Sequence, residues 1–113
     1  RSSQVLPNDL SRQKDIEPGI IKGANDVIDR LSRHHQKAGR IRLGLGYANG
    51  VTDENGRTSY SHEITIEPTA ERKLLIDHLL GIFHQAWSGV AVRNISVALS
   101  RLSDANTQQI SLF

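Results

Sequence analysis

The sequence contains no cysteine and no methionine among its 113 residues. Without thiols there is no disulfide framework and no thiolate metal centre, which suits a reducing compartment. With no methionine, and with Arg1 first, the chain reads as a processed product or a piece of a longer one. No apolar run approaches the ~18 residues that a membrane span needs, so a membrane partner is not expected. Charge is nearly balanced, with 14 Lys and Arg against 12 Asp and Glu, a net of +2 and a pI near 9.3. So small an excess permits a nucleic-acid partner without requiring one. Aromatic residues make up only 4%. What is present is 37% hydrophobic residues, enough to bury the core of one ordinary domain.

The opening "RSSQVLP" reads as an extended stretch stopped by Pro7, followed by a polar loop. Asp15 is placed to cap a helix, with Glu17 and Pro18 in its first turn. Ile20, Ala24, Val27, Ile28, Leu31 and Ala38 then recur at helical spacing, and Gly39 reads as the C-cap. The period changes at "RIRLGLGYA". Ile41, Leu43, Leu45 and Tyr47 alternate with Arg40, Arg42, Gly44 and Gly46, the pattern of a half-buried strand. After a turn-rich stretch with two Asn-Gly pairs, Tyr60, His62, Ile64 and Ile66 alternate with Ser59, Ser61, Glu63 and Thr65. The two segments predict an antiparallel hairpin. Pro68 should end the second strand and Thr69 should cap a second helix, buried through Leu75, Leu79, Phe83, Ala86 and Trp87 and ended by Gly89. "VAVRNISVALSRL" predicts a last strand with Ile95, Val97 and Leu99 inward. The order β-α-β-β-α-β implies an α+β sandwich, a four-stranded mixed sheet with two helices on one face. Residues 1–102 form the domain and 103–113 an unpatterned tail.

The other sheet face must then be open. Its residues are small, hydroxylated or cationic: Arg40, Arg42, Gly44 and Gly46, then Ser59, Ser61 and Thr65, then Asn94, Ser96 and Ala98, with Arg93 near the edge and Arg1, Ser2 and Ser3 at the N-terminus. Large aromatics are missing, so the face is no base-stacking platform. Glycines let a bulky object approach the backbone. Hydroxyls, amides and arginines are the groups that usually contact phosphates, although solvated sheet faces often carry the same types.

Other chemistry is poorly supported. His34 and His35 are adjacent and cannot share a helix face, and His78 and His84 are spaced badly for a common ligand. "GLGYANG" has no helix after it, so it lacks the context of a phosphate loop. Paired carboxylates for two-metal chemistry are missing. No catalytic residue and no metal ligand can be named.

Several pieces appear together in order: "SSQVLP", the hairpin followed by "PT", "WSGVAVRNISV" and the terminal "QISLF". This combination resembles the little-finger domain of Y-family translesion DNA polymerases, in the UmuC-like branch of Gram-positive bacteria, over essentially the whole chain. The resemblance implies a domain that lays its open face across the DNA major groove and grips backbone phosphates. The candidate contacts are then Arg1, Ser2, Ser3, Arg40, Arg42, Gly44, Ser59, Ser61, Thr65, Arg93, Asn94 and Ser96. The last strand departs from the pattern, carrying Asn94, Ser96 and Ala98 where related domains often hold basic residues. The palm, fingers and thumb with their catalytic carboxylates are absent, so the fragment itself should not catalyse. No cofactor is expected in this domain, whereas the parent polymerase would use Mg2+. Partners implied are damaged or primer-template DNA, the remaining polymerase domains and the bacterial sliding clamp (its beta subunit), all cytoplasmic, in SOS-type damage tolerance. Gln109, Ile110, Ser111, Leu112 and Phe113 resemble the pentapeptide by which bacterial polymerases bind that clamp. A stand-alone α+β interaction or regulatory domain is the competing class, and it differs in lacking a salt-sensitive phosphate contact.

Overall fold

A computed structural model describes residues 1–104. The elements run β1 (Ser2–Leu10), α1 (Gln13–Arg33), β2 (Gln36–Tyr47), β3 (Ser59–Thr69), α2 (Arg72–Ala86) and β4 (Val92–Asp104). They build one four-stranded sheet in the order β1-β4-β2-β3, with α1 against β1, β4 and β2 and α2 against β2 and β3.

Every neighbouring pair is antiparallel, not mixed as predicted. Each β-α-β crossover does join strands that run the same way. In both cases, however, a strand of the other unit lies between them, so no parallel ladder forms.

Why α1 forms is plain from its spacing. Ile16, Ile20, Ala24, Val27, Ile28 and Leu31 all fall on one side and are buried. Fully burying such an aliphatic side chain contributes about 1.5–3 kcal/mol. The helix starts earlier than the sequence suggests, with Arg12 at the N-cap. Asp15 lies in the first turn and pairs with Arg12 at 3.2 Å, where a carboxylate favours the helix dipole. Pro18 sits inside the helix.

Helix α1 also ends earlier, at Arg33, so Gly39 is not its cap. His34 N–H and His35 N–H close the last turn on the carbonyls of Arg30 and Ser32. His35 then takes a left-handed conformation, φ 51°, and turns the chain into β2. Ala38 is therefore a buried strand residue opposite Leu102.

The second helix follows the predicted stripe through Leu75, Leu79 and Phe83, with Ile82 added. Its N-cap is Glu71. Thr69 is the last residue of β3, and its Oγ1 accepts from the Glu71 N–H at 3.0 Å. The helix stops at Ala86, ahead of Gly89. Trp87 stacks on Phe83 with ring centroids 5.2 Å apart, and its indole N–H donates to the Val90 carbonyl at 2.8 Å.

Neither proline ends its strand. β1 runs past Pro7, with the register irregular between Val5 and Leu10, and β3 runs past Pro68 to Thr69. Both are edge strands, where a missing N–H costs no ladder bond.

Across the helix layer, Arg72 donates to Asn25 Oδ1 and Asp29 Oδ1, both at 2.6 Å. Nearer the other end, Glu17 contacts His84 Nε2 and accepts from Gln13 Nε2 at 3.0 Å. The hydrogen bond with His84 holds the Glu17 carboxyl below its ordinary value.

Candidate nucleic-acid interface

Strand alternation decides what the open face carries. Ile41, Leu43 and Leu45 turn into the core, so Arg40, Arg42, Gly44 and Gly46 turn out. Register sets their neighbours. Gly46 lies between Ser59 and Asn94, Gly44 between Ser61 and Ser96, Arg42 between Glu63 and Ala98, and Arg40 between Thr65 and Ser100.

The glycines create a hollow. A Cβ at Gly44 would sit 2.7 Å from Ser96 Oγ, and one at Gly46 would sit 2.8 Å from Asn94 Nδ2. The Ser96 and Asn94 side chains therefore lean over bare backbone. The result is a concavity of about 340 Å³, lined by Arg1, Ser3, Arg42, Gly44, Gly46, Ser59, Ser61, Asn94 and Ser96 with edges of Leu45 and Tyr60.

Two guanidinium groups are held beside it. Arg42 Nη2 donates to Ser61 Oγ at 3.2 Å, and Arg40 Nη2 to Thr65 Oγ1 at 3.4 Å. Arg40 also approaches Glu63 Oε1 at 3.9 Å. These contacts leave Arg42 without a carboxylate partner among the described residues. Its charge is available to an anion.

Not every predicted residue joins the group. Ser3 pairs with Ser96 and lines the hollow, whereas Ser2, one residue earlier, faces α1 and its Oγ donates to Asp26 Oδ2 at 3.3 Å. Arg93 falls where the β4 register shifts and pairs with Asp9 at 3.6 Å, away from the hollow. Thr65 stands beside Arg40, beyond its rim. Gln109–Phe113 lie outside the described residues.

Three residues of this face were missed. Lys37 lies between Gln36, which stands on the α1 side, and buried Ala38, so it turns outward, opposite Ser103. Ser100 stands opposite Arg40. Val5, 70% exposed, pairs with Asn94 at the β1 edge. Reading the strand from Gln36 instead of Arg40 would have found Lys37; the alternation of β4 continued past Ala98 would have found Ser100.

The hairpin loop beside the hollow is fixed by Asp53. Its Oδ1 accepts from the N–H groups of Asn55 and Arg57 at 2.9 and 3.0 Å, and its Oδ2 accepts from Tyr47 Oη at 3.4 Å. The Arg57 backbone N–H is the main reason its carboxyl is held below the ordinary value. Burial, and after it Asp53, raises the Tyr47 phenol. Among the described residues, no group of three or more His, Cys, Asp or Glu could hold a metal ion. No described helix is long and apolar enough to cross a membrane.

Comparison with known proteins agrees with this architecture. The impB/mucB/samB family C-terminal domain matches residues 1–112. UvrX of Bacillus subtilis (strain 168), a protein named for UV-damage repair, is 35% identical over 112 residues, 98% of this chain. DNA polymerase IV 2 of Halalkalibacterium halodurans is 24% identical over 112 residues, 96% of this chain. The chain spans about a quarter, 26%, of the length of each. A solved complex of the beta-clamp processivity factor and the little finger domain of PolIV shares the fold. Its TM-score is 0.65 at 15% identity, covering 97% of this chain and 94% of that one. The chain thus belongs to the impB/mucB/samB family, as its C-terminal domain, and has the fold of a polymerase little finger domain.

Proposed function

We propose that this domain holds damaged or primer-template DNA for a translesion polymerase, and that Gln109–Phe113 dock the enzyme on the bacterial sliding clamp. The observation that carries the first part is the glycine-floored hollow, edged by Arg1 and Arg42 and lined with hydroxyls and an amide. Such a surface offers hydrogen bonds and positive charge to phosphate oxygens and presents nothing that would read a base sequence. Binding is therefore weak and sequence-independent. Ser96 and Asn94 stand in for the cations usual on the last strand, so the positive charge comes from Arg1, Lys37, Arg40 and Arg42 instead.

Catalysis belongs to the rest of the parent polymerase, whose own carboxylates would hold Mg2+; this domain takes part by positioning. A DNA substrate places the work in the cytoplasm, and the UV-repair name of a relative supports a role in the SOS response to DNA damage.

For the tail, the support is the pentapeptide itself and a structural neighbour solved in complex with a beta clamp. Leu112 and Phe113 supply apolar anchors and Gln109 directional hydrogen bonds, and a few anchors give most of the energy of such an interface.

The test is a titration of the chain against fluorescein-labelled primer-template DNA and, separately, against the clamp. Arg42→Glu should weaken DNA binding while clamp affinity is kept, and Leu112→Ala with Phe113→Ala should do the reverse. Loss of neither activity by its own variant would refute the corresponding half.

A further inference from the structure

β1 covers only part of its neighbour. It pairs with β4 from Val92 to Val97, whereas β4 pairs with β2 as far as Asp104. From Leu99 to Ser103 the strand has a partner on one side only among the described residues. Among the described residues, the backbone donors and acceptors on the other side have no strand partner and form an edge.

Beside that edge, between β4 and the end of α1, lies a groove of about 190 Å³. Its floor is Val27, Leu31, Leu99 and Leu102, and Leu102 is 48% exposed. Its rim carries Arg1, Arg30 and His34. Arg30 Nη2 donates to the Arg1 carbonyl at 2.6 Å, which fixes the guanidinium over the groove without neutralising it. Among the described residues no carboxylate forms an ion pair with Arg30, nor with Arg33 or Arg101. Asp29, next to Arg30 in the sequence, pairs with Arg72 instead, and Asp26, one turn earlier, accepts from Ser2.

We infer that this groove docks an acidic, extended segment of a partner protein, which adds a strand to the β4 edge and seats one large apolar side chain on Leu99 and Leu102. Three features select that occupant. That edge supplies a ladder to an extended backbone, and the pocket beside it selects a side chain, the division of labour in strand addition. Arg1 and Arg30, which form no ion pair among the described residues, favour flanking Asp or Glu. The floor is aliphatic, with none of the aromatic rings on which unpaired bases stack, which disfavours a nucleic-acid strand. The site lies on the helix side of the sheet and shares only Arg1 with the hollow on the open face.

The experiment is a fluorescence-anisotropy titration of the full chain with a labelled peptide, Asp-Asp-Leu-Phe-Asp-Asp, and with its counterpart in which every Asp is Lys. The acidic peptide should bind saturably and the basic one should not. Arg30→Glu and Leu102→Asp, both surface changes, should each weaken binding by about tenfold or more, with the far-ultraviolet circular dichroism of the parent. Arg42→Ala, on the other face, should leave it unchanged. Equal binding of both peptides, or insensitivity to the two groove variants, would overturn the proposal. So would tighter binding after Leu112→Ala with Phe113→Ala, since residues of this chain would then be the occupant. A thymidine oligonucleotide whose binding is lost in Leu102→Asp, with the acidic peptide inert, would assign the groove to nucleic acid and overturn it too. Failure of a longer protein carrying this domain to bind the peptide would mean that residues preceding Arg1 fill the groove, with the same consequence.

Discussion

The double variant Arg40→Ala with Arg42→Ala tests the open face through its salt dependence. Four cations stand on that face: Arg1 at the hollow, Lys37 opposite Ser103, and Arg40 and Arg42 hydrogen-bonded to Thr65 and Ser61. If each meets one phosphate, the slope of log K against log salt is about −3.6, at about −0.9 per contact on B-DNA. The variant keeps two contacts and a slope of about −1.8. Between about 50 and about 200 mM salt the parent then loses about 150-fold in affinity and the variant about 12-fold. The advantage of the parent therefore shrinks about 12-fold over that range. The assay is anisotropy of labelled primer-template DNA at several salt concentrations, on two unrelated sequences. Both sequences should behave alike, because phosphate contacts carry no base information. Glu63→Gln removes the acid near Arg40 and should strengthen binding at every salt concentration. Parallel slopes for parent and double variant would refute the reasoning, whatever the absolute affinities.

Gly44→Val fills the hollow while meeting only the movable end of Ser96, 2.7 Å from the new Cβ. It should lower DNA affinity about tenfold or more, ~1.4 kcal/mol, and leave the melting temperature nearly unchanged, since β-branched residues suit strands. Leu112→Ala with Phe113→Ala should reduce clamp affinity by at least about tenfold, because each side chain buried in an apolar cleft is worth roughly 1.5–3 kcal/mol. Glu17 is held below its ordinary value of 4.5 by the hydrogen bond with His84, so its contribution to stability is present above that pH and is lost as pH falls through the lowered value. Melting curves from about pH 6 to about pH 3 should therefore show the gap between parent and Glu17→Gln closing toward the acid end; a gap constant with pH would dismiss the link between α1 and α2.

Most of the fold was legible because the chain punctuates itself by period. Residues 41–47 and 59–66 alternate strictly, and the apolar positions of α1 repeat at helical spacing. The open face followed from that alternation, and Gly44, Ser61 and Ser96 do lie side by side. What was not legible depended on partners distant in sequence. "HHQKAG" carries no period of its own. Ala38 fits the helical spacing from Leu31, yet the ladder to Leu102 claims it for β2. That ladder also turns Lys37 outward. Ser2 and Ser3 look alike in the sequence, and only their register against Val97 and Ser96 assigns them to opposite faces. The order β1-β4-β2-β3 is likewise invisible to local patterns, since no single segment records which strand will lie between two others.

That order has a consequence for how the domain comes into being. β4, the last of the described strands to be synthesised, pairs with both β1 and β2, and its Val92, Ile95 and Val97 form part of the floor beneath the helices. The β2–β3 hairpin can close from nearby residues, but β1 has no strand partner until β4 returns to it, from Val92 opposite Leu10 to Val97 opposite Ser2, across most of the chain. Contacts of that span fold slowly, because the loop must be closed before any pairing rewards it. On the ribosome, β1 and the inner face of α1 stay exposed until β4 emerges, so a pause before that point holds the nascent domain in its most aggregation-prone form.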